Sequence, residues 1–147
     1  MCGIAGIFHF NDAAPIGQEM TEMLQSMRHR GADSTGFALY AKTQKDNTFA
    51  IRLKLAEQED LARGFEIHDQ IKTRKLEVEK RIKELGGTIA SSQEATPYAY
   101  LYRVDYDGDL RKLADYLEDI ENVEILSIGK ALELVKDLGD AHQVSQA

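Results

Sequence analysis

The chain has 147 residues, 43% of them hydrophobic, enough for one ordinary domain or part of a larger one with a packed core, which excludes wholesale disorder. Its 18 lysines and arginines face 25 aspartates and glutamates, and a net charge of −7 argues against a nucleic-acid-binding surface, which needs a concentrated basic face. No apolar run approaches the roughly 18 residues that span a membrane. The first ten residues lack the basic start of a secretory signal. One cysteine in the whole chain excludes an internal disulfide framework and a cysteine-rich metal site, so the expectation is a cytoplasmic protein without bound metal.

That cysteine stands at position 2. A lone free cysteine ordinarily packs as a small buried hydrophobe. Position 2 gives it a different prospect, because initiator methionine is removed when the next side chain is small. Cys2 then becomes the first residue, with a free α-amino group beside its thiol. Such an amine has a pKa of about 7.7–8.0, so part of it is unprotonated near neutrality and able to take the thiol proton. One residue thereby supplies both nucleophile and base, and Cys2 is the candidate catalytic residue.

Residues 3 to 10, "GIAGIFHF", are small and apolar and end at a turn signal, which predicts a buried strand beginning at Cys2. After Pro15, residues Ile16, Met20, Met23, Leu24 and Met27 fall at helical spacing and predict an amphipathic helix packed on a sheet, with Gly31 as its stop. "STGFALYAK" and "NTFAIRLKLA" read as two antiparallel strands joined by the polar turn "TQKDN". From Glu57 to Leu85 charge is dense but balanced, with a thin apolar stripe. This predicts a long solvated helix or helical pair, supported by pairs such as Glu77 with Arg81 and ended by Gly86 and Gly87.

The last third reads as a small α/β unit. "PYAYLYRVDY" is an alternating strand, "GDLRKLADYLEDI" a helix with Asp109 as N-cap, and "VEILSI" a strand, while "KALELVKDLG" suits a strand or a short helix. "DYDGD", residues 105 to 109, crowds three aspartates but lacks the glycine position and closing glutamate of a calcium loop, so a turn with a helix cap is its expected use. The resulting division is 1–56, 57–96 (charged and helical), 97–139 (small α/β unit) and 140–147.

Two stretches taken together carry a resemblance. "MCGIAGIF" at the start and "RHRGADSTG" at 28 to 36 resemble the class II glutamine amidotransferases, whose opening Cys-Gly-Ile and apolar strand are followed by a helix ending in His-Arg-Gly, then Asp and a small residue before Gly. Cys2, Gly3 and Ile4 match the first part, and His29, Arg30, Gly31, Asp33, Ser34 and Gly36 the second. "LSIGKALELVKDLGD", residues 126 to 140, is similar to a Ser-x-Gly…Glu-x-x-Lys-x-x-Gly stretch of amidotransferase domains associated with glutamate synthases and their stand-alone relatives.

The resemblance implies an α+β fold, the N-terminal part of a four-layer αββα N-terminal-nucleophile hydrolase sandwich carrying an inserted helical segment and a small α/β unit. It implies attack by the Cys2 thiolate on the side-chain amide of L-glutamine, a γ-glutamyl thioester, and ammonia delivered to a synthase partner, with no cofactor in this chain. It assigns Arg30 either to the substrate or to fixing its own loop by guanidinium hydrogen bonds, Asp33 to organising the loop, and His29 to structure. His9, His68 and His142 have no partner visible in the sequence. The oxyanion-hole Asn-Gly pair and the groups that grip the substrate carboxylate and amine have no match in residues 1 to 147, so the expectation is a chain inactive without a partner subunit or further segment. The alternative is a non-catalytic assembly module that retains the amidotransferase scaffold.

Overall fold

The computed structural model describes residues 2–10, 15–30, 33–40 and 46–145. It is a mixed α/β structure with antiparallel sheets, and its chain divides into two units, Met1–Phe37 with Val135–Ala147, and Ala38–Leu134.

The larger unit is a βαββαβ arrangement. Strand β2 (Thr48–Lys54) leads through a short 3-10 turn to helix α2 (Phe65–Glu84), then strands β3 (Thr88–Thr96) and β4 (Ala99–Asp105), helix α3 (Leu110–Glu118) and strand β5 (Glu124–Gly129). The sheet order is β3-β4-β2-β5, every neighbour antiparallel, which is the split topology of ferredoxin-like folds. Alternation sets the faces. Ile51 and Leu53 of β2 stand beside Tyr102 and Tyr100 of β4, and this row meets Ile67, Ile71, Val78 and Ile82 of α2 and Leu113 and Leu117 of α3 in one core.

Local chemistry explains the boundaries. Glu57 and Asp60 form a reciprocal capping box over the 3-10 turn. Arg74 of α2 reaches across to donate to the Leu55 carbonyl at 2.7 Å, and the expected pair of Glu77 with Arg81 forms at 3.1 Å. Gly86 adopts φ +86°, where its N–H closes on the Lys83 carbonyl, so the helix ends at the predicted place by a left-handed cap. Asp109 caps α3 as expected, its carboxylate accepting from the N–H groups of Arg111 and Lys112. Asp105 of the same aspartate cluster accepts from the Thr48 hydroxyl. Among the described residues, no cluster of His, Cys, Asp or Glu able to hold a metal comes together.

The smaller unit contains helix α1 (Ile16–Ser26), a 3-10 turn at Arg28–Arg30, and helix α4 (Ala141–Val144). Strands β1 (Ser34–Tyr40) and β6 (Leu132–Leu138) form a two-stranded sheet, to which this unit contributes residues 34–37 and 135–138. Phe37, Val135, Ala141 and Val144 form its core, with Met20 and Leu24 of α1 packed against them. The predicted apolar face of α1 is therefore used through Met20 and Leu24, while Ile16 and Met23 stay 41% and 37% exposed. Gly31, its predicted stop, lies outside the described residues, as do residues 41–45 of the predicted "TQKDN" turn region.

Three expectations are corrected. Residues 3 to 10 form no strand: they carry no regular secondary structure, and Ile4, Phe8 and Phe10 are 95%, 77% and 93% exposed. A strand exists only through backbone pairing, and no described segment pairs with this one; within it Phe8 meets Phe10 edge to face. Second, β1 and β2 both exist but do not form a hairpin. Strand β2 is buried along nearly all its length and takes β4 and β5 as neighbours, as a central strand must, while β1 pairs with β6. Third, residues 88–96, grouped with the charged helical segment in the sequence, form β3; the polar "SSQE" run hides it, because an edge strand needs little apolar alternation. The undecided "KALELVKDLG" is strand β6.

No helix among the described residues is long and apolar enough to cross a membrane.

Candidate active site

The end of α1, the start of β1 and the β6–α4 junction enclose a cleft of about 240 Å³ in the smaller unit. Cys2 and Gly3 line it, together with Arg28, Asp33, Ser34 and Asp140. The Cys2 thiol is free and exposed. Gly3 lies against the α1 end: a Cβ at that position would stand 3.6 Å from the Met27 sulfur and 3.8 Å from Arg30 Cβ. His9, without an evident partner in the sequence, finds one in Glu19 of α1 at 2.5 Å, which ties the N-terminal stretch to the helix.

The opposite wall is cross-braced. Gly139 donates its N–H to the Asp33 carbonyl at 3.2 Å, and the Thr35 hydroxyl donates to the Gly139 carbonyl at 2.9 Å. This glycine is at φ +113°, and a Cβ there would meet Gln143 Oε1 at 2.5 Å, so the junction accepts no larger residue without rearrangement. Asp140 follows as the N-cap of α4, in a capping box with Gln143, and accepts from the Gln25 side-chain amide at 3.2 Å. The Gln143 backbone N–H, then the Gln25 amide, hold the Asp140 carboxyl below its ordinary value. Asp140 thus places a carboxylate on the cleft wall at neutral pH.

That lowered pKa has a consequence for stability. The ionised form is favoured in the folded chain, so its contribution is complete above the ordinary carboxylate range and disappears as pH falls through the depressed folded value. Asp140→Asn keeps a competent cap but removes the charge. The expected result is a melting-temperature gap between wild type and variant that is constant above the ordinary carboxylate range and narrows as pH falls below it. A gap that persists unchanged in acid contradicts this role.

The sequence motifs distribute unevenly over the site. Asp33, Ser34 and Gly36 of "RHRGADSTG" line the cleft with Cys2, although 30 or more positions separate them in the chain. Arg30 is exposed in the 3-10 turn, its N–H bonded to the Met27 carbonyl at 2.8 Å, and it is Arg28 that lines the cleft. His29 is also exposed, as are His68 and His142. In "LSIGKALELVKDLGD", Ser127 and Gly129 serve a turn: the Ser127 hydroxyl accepts from Leu134 N–H at 3.1 Å, and a Cβ on Gly129 would stand 3.1 Å from the Leu132 carbonyl. Glu133 pairs with Arg103 at 3.2 Å. Arg28 and Asp140 were not singled out from the sequence; the available signal was the Asp-x-x-Gln capping box at 140 to 143.

No family model matches the chain. The chain is similar to a protein assigned to the glutamine amidotransferases. That relative is the Methanothermobacter thermautotrophicus protein named "Putative glutamine amidotransferase", 26% identical over 149 aligned positions that cover 99% of this chain and 46% of the relative. The chain spans about half the length of the curated relative it matches.

Proposed function

We propose that this chain is the N-terminal part of a class II glutamine amidotransferase, in which Cys2, freed of Met1, hydrolyses the side-chain amide of glutamine for a synthase of the glutamate synthase type in the cytoplasm. One observation carries the reading: the two stretches that resemble the family border the same cleft, Cys2 and Gly3 on one side and residues 33–36 on the other. Similarity to a named glutamine amidotransferase over 99% of the chain supports it independently. The cleft volume of about 240 Å³ is below the span of about 300–1,000 Å³ usual for drug-sized ligands, which suits a compact substrate such as an amino acid.

In this reading the α-amino group of Cys2 takes the thiol proton, and the thiolate attacks the amide carbon. Collapse of the tetrahedral intermediate breaks the carbon–nitrogen bond, and the same amine returns the proton to the departing ammonia. Water then cleaves the γ-glutamyl thioester and releases glutamate. Each intermediate carries a negative oxygen that needs preorganised donors, worth about 3–4 kcal/mol apiece. In this reading those donors come from outside residues 1–147, where the family's Asn-Gly pair has no match. Arg30, beside Gly3, is available to the substrate carboxylate or to its own loop, and Arg28 offers a second guanidinium on the cleft itself.

The test is ammonia release from L-glutamine by the purified chain, alone and mixed with the polypeptide that completes the relative's length. No release alone and release on mixing supports the reading. Release by the chain alone contradicts the need for completion, and none in either case favours the non-catalytic assembly module.

A further inference from the structure

The sheet face of the larger unit that is turned away from α2 and α3 carries an inference independent of the amidotransferase reading. Alternation puts Ile51 and Leu53 of β2 into the helix-covered core and Ala50, Arg52 and Lys54 on the opposite face. Arg52 is the anomaly among them. It is 8% exposed, and its Nε is buried without a hydrogen-bond partner among the described residues. Burial lowers its pKa and Glu133 offsets only part of that, yet a guanidinium stays ionised across the range in which proteins fold.

A buried charge is retained where something pairs with it. The nearby acid is committed elsewhere. Glu133 accepts from Arg103 at 3.2 Å, and Arg103 stands on the diagonal from Arg52, since Ala50 faces Arg103 and Arg52 faces Leu101 across β2 and β4. Two guanidinium groups therefore share one carboxylate, which leaves one positive charge in excess. Lys54, next along the same face, has Glu57 at 3.5 Å. On its other flank Arg52 faces Ser127 of β5, itself buried, whose hydroxyl oxygen accepts from Leu134 N–H and keeps its own proton to donate. The β2–β5 register shifts directly after this pair, between Arg52 and Leu53, and such an irregularity re-aims the side chains beside it.

We propose that Arg52 and Ser127 form a binding site for a small carboxylate, whose oxygens accept from the Arg52 guanidinium edge and from the Ser127 hydroxyl. Three features select that chemistry. The planar fork of an arginine matches the edge of a carboxylate. The excess charge is a single one, which suits a monoanion rather than a phosphate group carrying about −1.5 to −2 at pH 7. Glu133, close enough to act on Arg52, repels a second negative charge.

Acetate is the probe. On the full chain at fixed ionic strength, replacing sodium chloride by sodium acetate up to about 200 mM is expected to raise the melting temperature of wild type by about 2 °C or more, and to saturate. Arg52→Met, which fills the space without the fork, is expected to lose that increment. In the nitrogen-labelled wild type, the Arg52 Nε–H resonance is expected to move with acetate and to exchange more slowly with water. This signal is read without any substitution, so it decides the matter even where Arg52→Met fails to fold. No acetate response at Nε, which would leave water alone as its partner, an equal thermal response in wild type and Arg52→Met, or a response to inorganic phosphate in place of acetate would each overturn the proposal.

Discussion

If the proposed reaction holds, Cys2→Ala, in the chain combined with a polypeptide spanning the rest of the relative's length, is expected to lower glutamine hydrolysis by about 10³-fold or more, since only binding and oxyanion stabilisation then remain. Two features make the result diagnostic. The thiol is exposed, so the variant's thermal melt is expected to match wild type within about 0.5 kcal/mol. The neighbouring anchor at Gly3, against Met27 and Arg30, is untouched. Activity lost with stability unchanged assigns chemistry to the sulfur. Activity retained in the variant would mean that another group attacks, and the proposed reaction would fall.

The largest stability effect is expected in the other unit. Leu53 is fully buried in β2, opposite Tyr100 on one side and Ile125 on the other, within the core that α2 and α3 cover. Leu53→Ala removes that packing and leaves a cavity, at an expected cost of about 2–5 kcal/mol. All six tyrosines lie between residues 40 and 116, so tyrosine fluorescence during urea unfolding reports this unit. Ile4→Ala, at a side chain 95% exposed, is expected to change the same curve by less than about 0.5 kcal/mol. Comparable losses at the two positions would show that the N-terminal stretch is packed in solution.

The contrast between Leu53 and Ile4 also marks what the sequence reveals and what it conceals. Both sit in stretches rich in apolar residues, and the sequence predicts a strand for each. Only backbone pairing distinguishes them, and pairing is a property of distant segments: β2 finds β4 and β5, whereas residues 3 to 10 pair with no described strand. Elements governed by local chemistry were legible. The Asp109 cap, the glycine stop of α2 and the Glu77–Arg81 pair depend on residues within a turn or two of one another. Strand β3 was not legible, because an edge strand exposed on most of its length carries little of the alternation that marks a half-buried one. Nor was the βαββαβ order visible, since it joins a strand assigned to the 1–56 segment to elements from 57–96 and 97–139.

At the site, the sequence supplied Cys2 and the motif around Asp33, which border one cleft. It did not supply Asp140 or Arg28. Asp140 reaches the cleft wall through a long-range link, Gly139 to Asp33, that no spacing rule within either segment foretells. Arg28 lies two positions from the motif arginine, and in the turn between α1 and β1 that offset decides which guanidinium faces the cavity.

The central claim is that the Cys2 sulfur, beside an unblocked α-amine, is the attacking atom. Intact-mass and peptide mapping of the natively purified, completed protein after exposure to a diazoketone analogue of glutamine tests it most directly. The account predicts loss of Met1 and one stoichiometric adduct on Cys2, prevented by excess glutamine. A folded, completed protein that retains Met1 on every molecule, or whose Cys2 stays unmodified, would contradict it.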